Sequence, residues 1–483
     1  AWTAKLPWDR VVDVTTLDGA NWDERLEKAQ ELLTRQGGGV VYFPPGEYGF
    51  NRSIRLRNGI ILRGAAPKTS DARSDAYRPP SRLVFPKYVP IFSGDGTPVE
   101  TAFKGIVFDD PAGDSNCGVV HLALDHGHIH FAEAEGHRCG RNRFVCGCVL
   151  TNAAVCSPDV PNVSIGQKRW QRFTQRHAAA IDVYAEENAL VAANRLPPSD
   201  HHFVMPGYVL RGRGNGNPVQ MDVVFDYDNR PGIKVNHFCI GAPGGEEPSG
   251  TPESHPFGFR KGTTIVENYI YSTGRAAIAF SGDGVVCSHN VIRFKDDVLR
   301  PTTDGIKMTS GASTNDNRAV EMRGYRWILE GNDYRVYRNW AADRKYKIND
   351  GEGLMHENHC NSAIVDGVLV GNRGNTYLSL YKTGRIDGLL IEKNEIRVEE
   401  KIRDGVNRAV AIMVDADHSP DRRGPCRNVK IVGNTTTGGI LLGGKPSSGN
   451  EICDNKNIGS ESVITLRAEA TVKNNRGYRL EKA

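Results

Sequence analysis

The stretch "NSAIVDGVLVGNRG", residues 361–374, decides how the rest of the chain is read. Its apolar run is too short for a helix, is rich in β-branched residues, and closes on an asparagine, a residue that tolerates the left-handed conformation of a tight turn. The same phrase returns along the chain. It is seen in "TIVENYI" at Asn268, "VVCSHNVI" at Asn290, "RVYRNWA" at Asn339, "LLIEKNEI" at Asn394, "VKIVGNTT" at Asn434, "EICDNKN" at Asn455 and "ATVKNNRG" at Asn474. Fainter copies lie at Asn194 and Asn152. The spacing clusters at about 20 residues or twice that, which is a repeat with insertions. A strand of this kind cannot bury its apolar face alone; it is satisfied when coil stacks on coil at about 4.8 Å per rung. Repeats of about 20 residues with three short strands per turn describe a parallel β-helix. The competing solenoid, the leucine-rich repeat, would show LxxLxLxxN, which is absent from the sequence.

Upstream, "NWDERLEKAQELLTRQGGG" reads as one helix. Asn21 is its N-cap, Glu24 completes a capping box, Leu26, Ala29 and Leu33 share a face, and Gly37–Gly39 stop it. Such a helix would plug the first coil and cover exposed strand edges. The expected organisation is one all-β domain over 1–483. Its strand and capping α-helix fill 1–37 and its coils 38–483, with long loop insertions near 65–115 and 195–262, both rich in Pro, Gly and His.

"VVDVTTLDGA", the capping helix, "GGGVVYFPPGEY" and "IRLRNGIILRGA" together resemble the amino-terminal module of the pectin-lyase-like superfamily, over about residues 11–65. That superfamily includes pectate-lyase-like and rhamnogalacturonase-like proteins. The resemblance implies a single-stranded right-handed parallel β-helix working on a poly- or oligosaccharide bound along the outside of the solenoid, and a secreted or periplasmic setting. One such fold hosts many activities.

Composition agrees with this class. The chain has 61 basic and 57 acidic residues and a formal charge of +4, well mixed, which excludes a polycation for nucleic acid. No apolar run of about 18 residues suggests a membrane span. Monomer and homo-oligomer both remain open. None of the ten cysteines forms CxxC, and "VCGCV" places Cys146 and Cys148 at the two-residue period of one strand face, so buried free thiols are expected.

The candidate chemistry lies in the middle of the repeat. Asp283 in "FSGDGVV", Asp304 and Lys307 in "PTTDGIKM", and Asp350, Glu352, His356, Glu357 and His359 in "NDGEGLMHENH" gather carboxylates and imidazoles in Asp-Gly contexts. Asp283 and Asp304 are spaced to stack on neighbouring rungs. Close like charges push two carboxyl pKa values apart, as glycoside hydrolysis needs for one acid and one base. The expected catalytic set is therefore Asp350, Glu352, Asp304, Glu357 and His356. The substrate-binding set is Asp283, Lys307, Arg323, Tyr325, Trp340, His359, Tyr377, Tyr381 and Lys382, since Arg and aromatic residues suit acidic substituents and sugar faces. "TTDG" resembles the "NTDG" of polygalacturonase-like hydrolases, whose tandem Asp pair, Gly-His-Gly and Arg-Ile-Lys are not found in order here. Asp-Gly turns of the repeat are the bland alternative for all of these. No resident metal or cofactor is expected for hydrolysis. A polysaccharide lyase, the rival enzyme class, would neutralise a uronate with Ca²⁺ or Arg, and a non-catalytic glycan-binding solenoid is the third reading. In "HLALDHGHIHF", His126, His128 and His130 alternate on one strand face with Asp125 and His121 opposite; three imidazoles in a line suit a polar groove face better than one zinc ion.

Overall fold

The computed structural model describes residues 2–86, 91–92, 98–100, 104–110, 113, 115–131, 140–153, 180–185, 187–197, 202–211, 218–226, 233–235, 261–272, 276–296, 299–301, 318–338, 355–356, 363–381, 384–398, 410–419 and 422–483. It divides into two compact units. The first comprises Ala1–Val235, Val266–Arg275 and Asp297–Thr314; the second comprises Asn236–Ile265, Ala276–Asp296 and Asn315–Ala483. Both are built of coils of a right-handed parallel β-helix.

In the first unit, Val11–Asp13 pairs in parallel with Gly39–Phe43, which pairs with Ile60–Gly64. Cys117–Val120, Arg143–Cys146 and Ala189–Ala192 continue the column in register. A second column stacks Ile54–Leu56, Lys104–Phe108, Gly127–Phe131, Ile181–Val183 and Ile233–Val235. Its interior side is an isoleucine ladder, Ile54, Ile106, Ile129 and Ile181, each at most 4% exposed. The helix Trp22–Arg35 is α1. Asn21 Oδ1 accepts from Glu24 N and Glu24 Oε2 accepts from Ala20 N, so the capping pair forms as the sequence implies, with the return bond one residue earlier. Leu26, Ala29 and Leu33 are its buried face.

The segments near 65–115 and 195–262 include coil strands among their described residues. Within 65–115, Ser81–Val84 and Lys104–Phe108 are coil strands; the described excursions are the irregular loop 65–80, which buries Ala72 and Tyr77, and the hairpin of Ile91–Phe92 with Pro98–Glu100. Within 195–262, Arg195–Leu196 and Ile233–Val235 belong to coils. His202–Arg211 and Pro218–Asp226 leave as an antiparallel hairpin, which Leu299–Pro301 joins as a third strand. Proline and glycine content marked these segments without separating coil strands from excursion.

In the second unit, strands from Val286–Ser288 through Ile328–Glu330, Ala363–Val370, Arg385–Glu392, Cys426–Val432 and Glu451–Cys453 to Thr471–Lys473 form one column. After each strand an asparagine joins a continuous ladder, buried at every rung but the last, where Asn475 is half-buried. Asn372 is typical: its Oδ1 accepts from Asn332 N at 3.1 Å and Nδ2 at 2.9 Å, and its own Nδ2 donates to Leu329 O and Asn394 Oδ1, both at 2.9 Å. The ladder runs Asn290, Asn332, Asn372, Asn394, Asn434, Asn455, Asn475. The first unit has its own piece, Asn194 with Asn268.

Two corrections follow for the repeat. The ladder position between Asn290 and Asn372 is held by Asn332, Asn339 lying outside the described residues, and that of the last coil is Asn475, not Asn474. The left-handed residue is also the one before the ladder asparagine: Ala193, Glu267, His289, Gly331, Gly371, Lys393, Gly433, Asp454 and Asn474 all have φ between 52° and 65°. The turn needs the bend at one position and the amide at the next, so Asn is selected there for its hydrogen bonds. Cys148, after left-handed Gly147, holds the ladder position in its coil and donates its N–H to Asn194 Oδ1. Asn152 does not. The bend at Gly147 also takes Cys146 and Cys148 off a common strand face. Both are free thiols, as are Cys117, Cys287, Cys426 and Cys453. Burial pushes the Cys146 and Cys148 thiols up to about 12, which keeps them unreactive.

Candidate active site

The outward side of the strand Gly127–Phe131 carries the most distinctive polar constellation of the first unit. Ile129 and Phe131 face the core with no exposure, so alternation sends His128 and His130 to the other side. His128 packs over Gly105, where an added Cβ would come within 2.8 Å of its Nδ1. The two imidazole centroids are 6.0 Å apart with planes at 59°. On the next rung Asp182 stands in register with His130, and His130 Nδ1 lies 3.4 Å from Asp182 Oδ2. The imidazole is 28% exposed and the carboxylate 1%. Lys234 occupies the same register position one rung further on. A carboxylate this deeply buried is costly without a polar partner, and the His130 ring is the group brought up to it, at a distance longer than a formed hydrogen bond.

The arrangement differs from the three-histidine face expected from the sequence. His126 has φ 57° and sits in the turn between Ala123–Asp125 and Gly127–Phe131, and His121 has φ 51° in the turn before. Both are therefore off the strand faces. Asp125 belongs to an ion-pair cluster: Arg82 bridges it to Glu47, and Asn152 Nδ2 donates to it at 2.9 Å. Burial pushes the Asp125 carboxyl up, but the bonds from Asn152 and Arg82, with the nearby charges of His126 and Arg82, outweigh it and hold the group below the usual range. Burial, helped by Arg63, holds His121 below the usual imidazole value. Among the described residues no three His, Cys, Asp or Glu side chains converge as a metal site. Asp182 was missed in the sequence. The alternation of "IDV", with Ile181 and Val183 inside, was the available signal.

Of the residues expected from the sequence, Asp304, Lys307, Trp340, Asp350, Glu352, Glu357, His359 and Lys382 lie outside the described residues. Three are placed by backbone alone. His356 sits in register between Glu321 and Ser379, Arg323 pairs with Ser281, and Tyr381 pairs with Asp415. Asp283 ends the strand Ala276–Asp283 and is 6% exposed. Its carboxylate is ion-paired with Arg326. Its register neighbours are Lys261 and Tyr325, and Asp304, expected beside it, lies outside the described residues. Tyr325 and Tyr377 are 6% and 8% exposed, which leaves little ring face for a sugar.

No protein-family model matches the chain, and no curated protein matches it. Among solved structures, the chain is similar to the A-module of the mannuronan C-5 epimerase AlgE6 of Azotobacter vinelandii, at 12% identity and TM-score 0.41, over 98% of this chain and 99% of that one. It is also similar to the DFA-IIIase of Arthrobacter chlorophenolicus A6 in complex with GF2, at 11% identity and TM-score 0.40, over 96% and 93%. A third similarity, to the Agl-KA catalytic domain, is at 12% identity and TM-score 0.36, over 98% and 68%.

Proposed function

We propose that the protein is a carbohydrate-active enzyme that cleaves glycosidic bonds of a poly- or oligosaccharide lying along the outward side of its coils. The observation that carries this reading is the partly exposed His130 backed by the buried Asp182 carboxylate. With Nδ1 turned to Asp182, the other ring nitrogen, Nε2, is the one a substrate meets, and the carboxylate stabilises the imidazolium that forms when Nε2 takes a proton.

Hydrolysis is the leading form. His130 would take a proton from the attacking water as its oxygen bonds to the anomeric carbon, and a carboxylic acid would protonate the departing glycosidic oxygen. Asp350 and Glu352, in the other unit, are a separate candidate pair for the same reaction, on the sequence argument alone. Elimination is the second reading, and the same pair favours it, because an oriented base needs no partner carboxylate. Nε2 would then take the C5 proton of a uronate, the electrons would form the C4–C5 double bond, and the C4–O bond would break with protonation of the oxygen. A cation must neutralise the uronate, for which Lys234, by its register, and Lys307 are the candidates.

The test is product analysis across a panel of neutral and acidic polysaccharides, with the His130→Gln and Asp182→Asn variants alongside. New reducing ends without ultraviolet absorbance mean hydrolysis, and unsaturated products mean elimination. Either variant should lower turnover at least about 10²-fold with folding intact. Turnover near wild type in both would remove the pair from the mechanism, and conversion of no polysaccharide would remove the enzyme reading.

A further inference from the structure

A second polar site lies in the first unit. The segment Trp2–Arg10 folds back over the coils, held by Leu6, which is buried with Val40, Ile61 and Phe144; Trp2 and Trp8 each approach Phe144 with ring centroids 5.9 Å apart. Between this segment and the turns of the coils is a cleft of about 680 Å³, within the range of pockets that hold small ligands. His128, His130 and Asp182 are not among its lining residues.

The floor of the cleft is a row of side-chain amides. Asn116, Asn142 and Asn188 occupy the same left-handed turn on successive coils, with φ of 44°, 58° and 62°. Asn188 Nδ2 donates to Asn142 Oδ1 at 2.8 Å, and Asn142 Nδ2 to Asn116 Oδ1 at 2.6 Å. These bonds use one N–H of each donating amide, and a carboxamide has a second. Unlike the buried ladder described above, this row faces the cleft. Beside it Asn58 Oδ1 is buried with no hydrogen-bond partner. Asn58 lies against Gly113, where a Cβ would fall 2.1 Å from its Nδ2.

The charged groups of the wall are Lys5, Arg10, Arg141 and Glu187. Glu187 is taken up by Arg141 at 4.0 Å, so the balance is positive. Arg10 is held in place by donating to the Gln36 and Gly37 carbonyls. The Trp2 indole forms an apolar side.

We propose that this cleft is a binding subsite for an anionic sugar unit, a uronate or similarly charged residue of a glycan chain. The sugar hydroxyls exchange hydrogen bonds with the amide row, the carboxylate meets Lys5 and Arg10, and the ring lies against Trp2. The inference rests on the carbohydrate reading above and narrows its substrate to an acidic polymer.

The test is calorimetric titration with tetragalacturonate and with neutral cellotetraose at one ionic strength. The proteins are wild type, the double variant Lys5→Gln/Arg10→Gln, the single variant Lys5→Gln, whose site is on the surface, and His130→Gln, with the melting temperature of each checking the fold. Tetragalacturonate should bind wild type more tightly than cellotetraose. The double variant should weaken that binding at least about tenfold, the size of one lost charge-assisted contact, and His130→Gln should leave the cleft contribution in place. Equal binding by the double variant and wild type, or a preference for cellotetraose, overturns the subsite. If acidic glycans are converted while the double variant binds normally, the cleft fails and the enzyme reading stands. If wild type neither binds nor converts any glycan, the carbohydrate reading fails first and takes the subsite with it.

Discussion

Each ladder asparagine does work that no other side chain can do in its place. Asn372 makes two donor and two acceptor bonds while buried to 1% exposure, and its alanine variant would orphan the Asn332 N–H, the Asn332 amide and the Leu329 carbonyl together. An unpaired buried polar group costs about 1–3 kcal/mol, so Asn372→Ala should destabilise the fold by at least about 3 kcal/mol. Urea unfolding with unchanged slope would measure it, and a loss below about 1 kcal/mol would mean that water fills the gap. The residue scale also shows why two asparagines were misplaced in the sequence. In "EGNDYRVYRNW" and "KNNRG" two asparagines compete for one ladder position, and only the hydrogen bonds to neighbouring coils choose between them.

At the scale of elements, α1 is an edge cover as well as a plug. Gln30, 1% exposed, donates Nε2 to Arg55 O at 3.1 Å and accepts from Arg57 N at 3.0 Å, taking up the outward groups of Ile54–Leu56. Asp23 takes the Asn51 and Arg52 N–H groups in the same manner. A helix that only buried Leu26 and Leu33 would leave that edge open to another strand. Gln30→Leu keeps the volume but leaves two backbone groups unpaired, so it should cost about 2–4 kcal/mol. Asn21→Ala, which loses only a cap, should cost about 1 kcal/mol. Thermal unfolding of the two variants gives the comparison; a milder effect for Gln30→Leu would mean the edge is satisfied otherwise. The helix itself was legible because capping and apolar spacing are local, and so was the class of solenoid. Gln30 was not legible, since its role depends on strands that follow it by about 25 residues. Nor was the site: His130 and Asp182 are joined by register across coils of unequal length, and the Asp-Gly phrases that looked most catalytic include Asp283, whose carboxylate is engaged by Arg326.

For the whole molecule, the buried titratable groups set how stability responds to acid. His121 is held below its ordinary value by burial and Arg63, so the unfolded chain takes up this proton first as pH falls. Stability from this group is complete above about pH 6.5 and declines as pH drops from there through the lower folded value. Asp125 is also held below its ordinary value, but a carboxylate titrates lower. Its contribution is present above about pH 4 and is lost only as pH falls through the folded value. The chain carries +4 before any of its fourteen histidines ionises, so acidification adds self-repulsion in the same direction. The melting temperature should therefore fall between pH 7.5 and 5.0. His121→Asn, which suits the left-handed backbone there and does not titrate, should flatten that slope. Asp125→Asn should lower stability throughout by breaking its bond with Arg82 yet leave the slope between pH 7.5 and 5.0 as in wild type. An unchanged slope in His121→Asn would assign the acid sensitivity to other imidazoles.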